Sequence, residues 1–323
     1  AAILALVQII INIFIIGFYT KAEHQLHTRP SNNIQFNPRK ILFHRDLALK
    51  QWIFRGIGVI GVILLSIFLL YPLFHVILLS FIPNTDEASF YSGYEFLFSS
   101  EYNALLGISP LSLVKNTLFF ALLNVLITLF ISSLILLILR HRFRRLQQYH
   151  TPLSDRLLNG LILLPMATSS ITLAVGLYLQ FRSGWLYQNM GWLLIVFAHT
   201  LISVPFATNA ILNAYQSINV ELLNVASTLG ANRFQIFRYI EFPLIKRGII
   251  IAITFAFAIS IGEFGATLFL ARSKYKTLSL GISTLIATRN YQYPASMASI
   301  LIVLTFTAFL IINYYTQNPQ SKN

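Results

Sequence analysis

Apolar runs long enough to cross a bilayer recur along this chain, and that pattern removes most folds from consideration. A helix needs about 20 residues to span hydrocarbon. Seven stretches qualify or nearly qualify: 1–20, 54–82, 112–139, 157–181, 191–212, 247–271 and 295–315. In lipid every backbone N–H and C=O must be bonded within the protein, which favours helices for runs of this length. The expected fold class is therefore an all-α integral membrane protein, a polytopic helical bundle of about seven spans. Only 10% of residues are charged, against roughly 25% in soluble domains.

The charge that remains is strongly positive, a formal +13, which taken alone could suggest nucleic acid. Its placement argues against that. Lys and Arg gather in alternating short loops: seven in 21–55, five in 140–156 and four in 216–247. The 83–111 segment has none and carries Asp86, Glu87, Glu95 and Glu101. This is the positive-inside pattern, and it places 21–55, 140–156, 216–247 and the C-terminal tail 316–323 in the cytoplasm. Arg272, Lys274, Lys276 and Arg289 are the exception, on the opposite side. The chain enters an apolar run at Ala1 without a basic leader. We therefore expect 1–20 to end a preceding unit, 21–53 to be a basic cytoplasmic linker, and 54–315 to form the main transmembrane domain. There is no cysteine, so thiolate metal sites and nucleophiles are excluded. No Gly-rich phosphate loop occurs, so ATP is not bound by that route. Sequence spacing suggests no metal cluster and no catalytic constellation.

Several polar groups lie inside the apolar runs. Asn124, Thr128 and Ser132 share a helix face at i, i+4, i+8, for which packing against another helix is the default reading. Pro165 followed by the small hydroxyl patch Thr168, Ser169 and Ser170 resembles the broken segments that line transporter cavities. Glu263 is the sole acid well inside a span, with Gly262 and Gly265 beside it. Two readings stand open: a translocation-pathway carboxylate favouring a cation, or a structural hydrogen bond. His199 and His75 are further intramembrane candidates, and a lone histidine there is more often hydrogen-bonded structure than a ligand. The acidic, aromatic 83–111 loop is expected to rest on the outer interface.

The 219–244 segment is different in kind. Leu222, Val225, Ala226 and Leu229 form one apolar face at i, i+3, i+4, i+7. Gly230 then interrupts as a C-cap. Asn232 starts a second short helix bearing Phe234 and Phe237, which Pro243 is expected to end. The result is a compact knob outside the membrane, or else a plain elbow joining two spans.

The order Ala226-x-Thr228-Leu229-Gly230-Ala231, then Ile240-x-x-Pro243, after Ala198-His-x-Leu-Ile-x-x-Pro-Phe206, resembles the cytoplasmic "EAA" loop region of binding-protein-dependent ABC permeases. Ile261-Gly-Glu-Phe-Gly-Ala-Thr267 and Thr277-Leu278 look like the ferric-iron and thiamine-type subgroup, whose members often fuse two units. The resemblance implies a type I importer core of six helices plus one preceding helix, here the C-terminal half of a fused permease in a bacterial inner membrane. It implies a solute, favoured as ferric iron or a thiamine-like cation, delivered by an extracytoplasmic binding protein. It also implies a cytoplasmic ABC ATPase dimer carrying the ATP, a second permease unit, and lipid around the spans. Docking on the ATPase would fall to Asn224, Ala226, Leu229, Gly230, Ala231, Phe234, Phe237 and Pro243. Asn224 stands where the family's loop has its glutamate, which implies an altered contact in this half. The competing class is an integral-membrane enzyme or a channel using Glu263; against the enzyme, Glu263 and His199 lie on separate helices with no third orienting group.

Overall fold

The computed structural model describes residues 49–83, 89–146, 162, 165 and 168–317. The expectations for 1–20, for nearly all of 21–53 and for most of the tail lie outside the described residues. Within them the chain is helical, with no strand. The helices are α1 (Leu49–Leu79), α2 (Ser92–Leu97), α3 (Ser100–Leu106), α4 (Pro110–Leu146) and α5 (Ser170–Phe181). They continue with α6 (Trp185–Gln216), α7 (Val220–Thr228), α8 (Arg233–Ile236), α9 (Phe242–Gly262), α10 (Gly265–Leu270), α11 (Leu278–Ile286) and α12 (Gln292–Gln317).

Five stretches are long and apolar enough to cross a membrane: Gly56–Leu79, Pro110–Leu139, Trp185–Gln216, Arg233–Gly262 and Gln292–Tyr314. One expected span is described only in part and one is corrected. Of 157–181 the described residues give a 12-residue helix, Ser170–Phe181, preceded by the non-helical Thr168 and Ser169. The run 247–271 is two helices, because Glu263 takes an extended backbone (ψ 114°) between α9 and α10.

The centre of the bundle is α4, α6 and α9. The polar face of α4 is buried here: Asn124 donates to Ser203 Oγ (3.0 Å) and to the Ala256 carbonyl (2.8 Å), Thr128 donates to Asn124 Oδ1, and Thr208 donates to Ser132 Oγ. Hydrogen bonds of this kind hold helices together where solvent gives no hydrophobic drive. At the opposite end from α7, part of the 83–111 segment packs into the bundle. Leu97, Tyr102 and Leu106 are buried with Leu113, Leu278, Leu285 and Met297, and Phe96 stacks on Tyr293 at 3.7 Å. Burial pushes the Tyr102 phenol above its ordinary pKa. Only Phe90, Tyr91 and Phe98 of its aromatic residues are exposed. Two of the four basic residues that break the charge pattern are bonded at this end: Arg272 donates to the Gln188 carbonyl and Lys276 to that of Leu106.

Candidate functional site: an exposed knob and a broken helix

The knob is built by local rules. Asn219 caps α7, accepting from Glu221 N–H at 2.9 Å. The helix ends on Gly230 at φ +88°, a left-handed conformation that costs an L side chain roughly 1–2 kcal/mol. Ala231 N–H reaches the Ala226 carbonyl and Gly230 N–H that of Ser227, the paired bonds of a Schellman stop. Asn232 then opens α8 through a reciprocal capping box with Gln235, both bonds 2.8 Å.

Pro243 does not end this second helix. Residues Phe237–Glu241 form a π-turn in which Phe242 N–H bonds the Phe237 carbonyl five residues back. Widening of the turn just ahead of Pro243 accommodates a residue that has no N–H to give, and α9 runs on to Gly262. The short second helix is thus the first part of a membrane-crossing stretch.

One side of the knob is fixed to the bundle. Leu223, Ile236 and Ile245 are buried with Leu136, Leu139, Ile211, Leu212 and Tyr215, and Ala226, Ala231 and Ile240 pack against them. Glu241 is buried and accepts from Tyr215 Oη at 3.4 Å. The other side is open. Leu229 is 83% exposed and Phe234 70%, with Leu222, Val225 and Tyr239 also exposed. The apolar face read from spacing therefore points outward, with only Ala226 of its four members half-buried. Leu223, absent from that stripe, is the anchor. Asn224 is exposed, its carbonyl taking the Ser227 and Thr228 hydroxyls. Phe237 is half-buried, its ring 6.1 Å from that of Phe242.

The second constellation sits where α9 breaks. Glu263 is half-buried and its carboxylate accepts from Ala266 N–H at 3.0 Å, satisfying the start of α10. Its carbonyl accepts from Thr267 and Ser279 hydroxyls. Ser170 comes close: a Cβ on Gly265 would lie 2.6 Å from Ser170 Oγ and 3.3 Å from Glu263 Oε1. Thr168 donates to the Pro165 carbonyl, and Ser169 precedes α5 without a side-chain cap bond.

His199 is fully buried, with Nδ1 2.8 Å from Ser260 Oγ and Nε2 3.3 Å from Thr267 Oγ1. Thr267 Oγ1 is also bonded to the Glu263 carbonyl, at 3.2 Å. Both ring nitrogens are engaged in structure. Among the described residues no group of three or more His, Cys, Asp or Glu gathers.

Residues 147–319 match the family of binding-protein-dependent transport system inner membrane components. The chain belongs to that family. It is 29% identical over 181 residues to the sulfate transport system permease protein CysT of Salmonella typhimurium, covering 53% of this chain and 65% of that one. It is 26% identical over 155 residues to the thiamine transport system permease protein ThiP of the same organism, covering 48% of this chain and 28% of that one. A Salmonella paratyphi A relative named for 2-aminoethylphosphonate transport is 27% identical, covering 50% of this chain and 60% of that one. The chain thus spans less than two thirds of the length of each of these relatives. In fold it is similar to a crystal structure of a bacterial ABC transporter involved in importing the acidic polysaccharide alginate, with a TM-score of 0.57 and 17% identity. That likeness covers 84% of this chain and 97% of the other.

Proposed function

We propose that this chain is the membrane-spanning permease unit of an ATP-driven importer, and that residues 219–244 couple it to a cytoplasmic ATPase dimer. The observation that carries the reading is the knob: one face pinned by Leu223, Ile236 and Ile245, the other leaving Leu222, Val225, Leu229 and Phe234 exposed. A rigid apolar projection of this kind suits a groove on a partner better than a plain connecting elbow, which has no need of exposed leucine and phenylalanine. On this reading ATP is bound and hydrolysed on the separate subunit, and closing of that dimer rocks the spans between two accesses.

The family relationship supports an extracytoplasmic solute-binding protein and a second permease unit, fused or separate, as further partners. In this arrangement 54–315 is the permease domain, in a bacterial inner membrane. A ferric or thiamine-like cation is favoured by the resemblance of Ile261–Thr267 and Thr277-Leu278 to that subgroup, with Glu263 as a candidate pathway carboxylate. The Glu263 carboxylate caps α10, and the relatives' names include sulfate and 2-aminoethylphosphonate beside thiamine.

The test is co-purification of the full chain with candidate ATPase subunits, beside a variant with 224–240 replaced by a flexible linker. Capture by the intact chain alone is expected. Equal capture by both, or none by a well-folded intact chain, overturns the coupling role.

A further inference from the structure

At the knob end of the bundle, α6 and α9 touch backbone to backbone. A Cβ on Gly248 would lie 2.5 Å from Ala214 Cβ and 2.7 Å from the Ala210 carbonyl. Beside this crossing the two helices open into a cavity of about 740 Å³. That is the size of a small-molecule site. Its polar lining is Asn209, Asn213 and Ser217 at i, i+4, i+8 on α6, with Arg247 of α9, and its apolar lining includes Phe206 and Phe255. No acidic residue lines it.

The hydrogen-bonding inventory gives the sign of the ligand. Ser217 spends its only hydroxyl proton on the Ala214 carbonyl, so it offers lone pairs alone. The side chains of Asn209, Asn213 and Arg247 bond no other described residue and are exposed to the cavity side. The free groups are therefore a guanidinium fork and two amides, next to apolar rings. Asn209 lies seven residues before the end of α6, about 10 Å at helical rise. Asn209, Asn213 and Arg247 are all exposed in the structure, and inside a span such groups are costly against lipid unless water, a partner or a ligand meets them. A forked guanidinium matches two oxygens of a tetrahedral oxyanion, and the amides can donate to the others.

We propose that this cavity binds a small tetrahedral oxyanion of the sulfate, phosphate or phosphonate type, with Arg247 as the bidentate anchor and Asn209 and Asn213 as supporting donors. The oxyanion is either free solute or the phosphate of an anionic lipid headgroup. The site rests on the permease reading for its meaning, as the knob-side chamber of the solute path. Its binding chemistry is measured independently of that reading.

The experiment uses the full chain in nanodiscs of zwitterionic lipid, with equilibrium binding of labelled sulfate, inorganic phosphate, methylphosphonate and, as cationic control, thiamine. Expected is saturable oxyanion binding that weakens at least tenfold in Arg247→Gln and several-fold in Asn213→Ala, is partly restored in Arg247→Lys, and is unchanged in Arg182→Gln. Lipid co-purified from native membranes is assayed in parallel. Phosphatidylglycerol retained by the parent chain and lost in Arg247→Gln, without free-oxyanion binding, assigns the site to a headgroup. Oxyanion binding unaffected by both cavity variants, thiamine bound in preference, or neither oxyanion nor anionic lipid held, overturns the proposal. Asn213→Ala keeps the test decisive if Arg247→Gln fails to fold. ATPase capture from the same preparation separates the two failures: capture without oxyanion binding refutes the site alone, whereas absent capture refutes the permease reading.

Discussion

Gly248→Ala is the sharpest test of how α6 and α9 meet. The new methyl would sit 2.5 Å from Ala214 Cβ, 2.7 Å from the Ala210 carbonyl oxygen and 3.2 Å from Ile211 Cα. Relaxed carbon contacts lie near 3.5–4.0 Å, so α9 must move away by about 1 Å. Two of the three obstacles are backbone, which cannot rotate aside. Ile245 and Ala252 flank Gly248 on the same buried stripe, so the shift loosens their packing as well. Overpacking of this kind costs roughly 1–3 kcal/mol. We expect about 2 kcal/mol, a change of roughly thirtyfold in the folded-to-unfolded ratio. The assay is reversible unfolding in mixed micelles, with Gly176→Ala as reference because nothing lies within 4 Å of its added methyl. Ala214→Gly in the Gly248→Ala background removes the 2.5 Å contact but leaves the carbonyl one, so it should restore only part of the loss. A Gly248→Ala protein as stable as Gly176→Ala would refute the close crossing.

Gly230→Ala should cost about 1 kcal/mol through backbone strain alone, since its surroundings are open; Gly230→Pro should abolish ATPase capture with membrane insertion intact, and normal transport in that variant would sink the coupling role. Leu229→Asp and Phe234→Ala should leave unfolding midpoints unchanged, because both side chains are exposed, while weakening ATPase capture at least tenfold in pull-down titration. Glu263→Gln keeps an oxygen to accept from Ala266 N–H and should preserve stability, whereas Glu263→Ala should lose about 1 kcal/mol; altered uptake in the Gln variant marks a pathway role, and unchanged uptake leaves only the cap. Tyr102→Phe removes a buried hydroxyl with no partner among the described residues and should raise stability by about 1 kcal/mol in the same unfolding assay.

The helical membrane class was legible because hydrocarbon thickness and backbone satisfaction leave few choices. Gly230 was legible too, since a glycine after an apolar stripe commonly marks a left-handed stop, whereas 247–271 reads as one apolar run and hides the break at Glu263. The direction of the Leu222–Leu229 stripe was not. In a chain this apolar, a core-facing and a partner-facing stripe have the same composition, and only the packing of Leu223 beneath distinguishes them. Pro243 misled because the stop rule assumes a regular α ladder, and the π-turn ahead of it changes that ladder. The cavity beside Gly248 left little trace either. Asn209 and Asn213 sit on one helix and Arg247 on another, and their convergence depends on a backbone contact between α6 and α9.

The π-turn also sets a phase. From Glu241 onward the buried positions of the stretch fall at Ile245, Gly248, Ala252 and Ala256, steps of three and four. From Ile236 to Glu241 the step is five. In a regular helix, at about 100° per residue, five residues would turn Ile236 some 140° away from the Glu241 face. The wide turn narrows that angle, so Ile236 and Glu241 are both buried while Phe234 stays exposed. The knob and the span are thereby geared together: rotation of one about the shared axis carries the other with it.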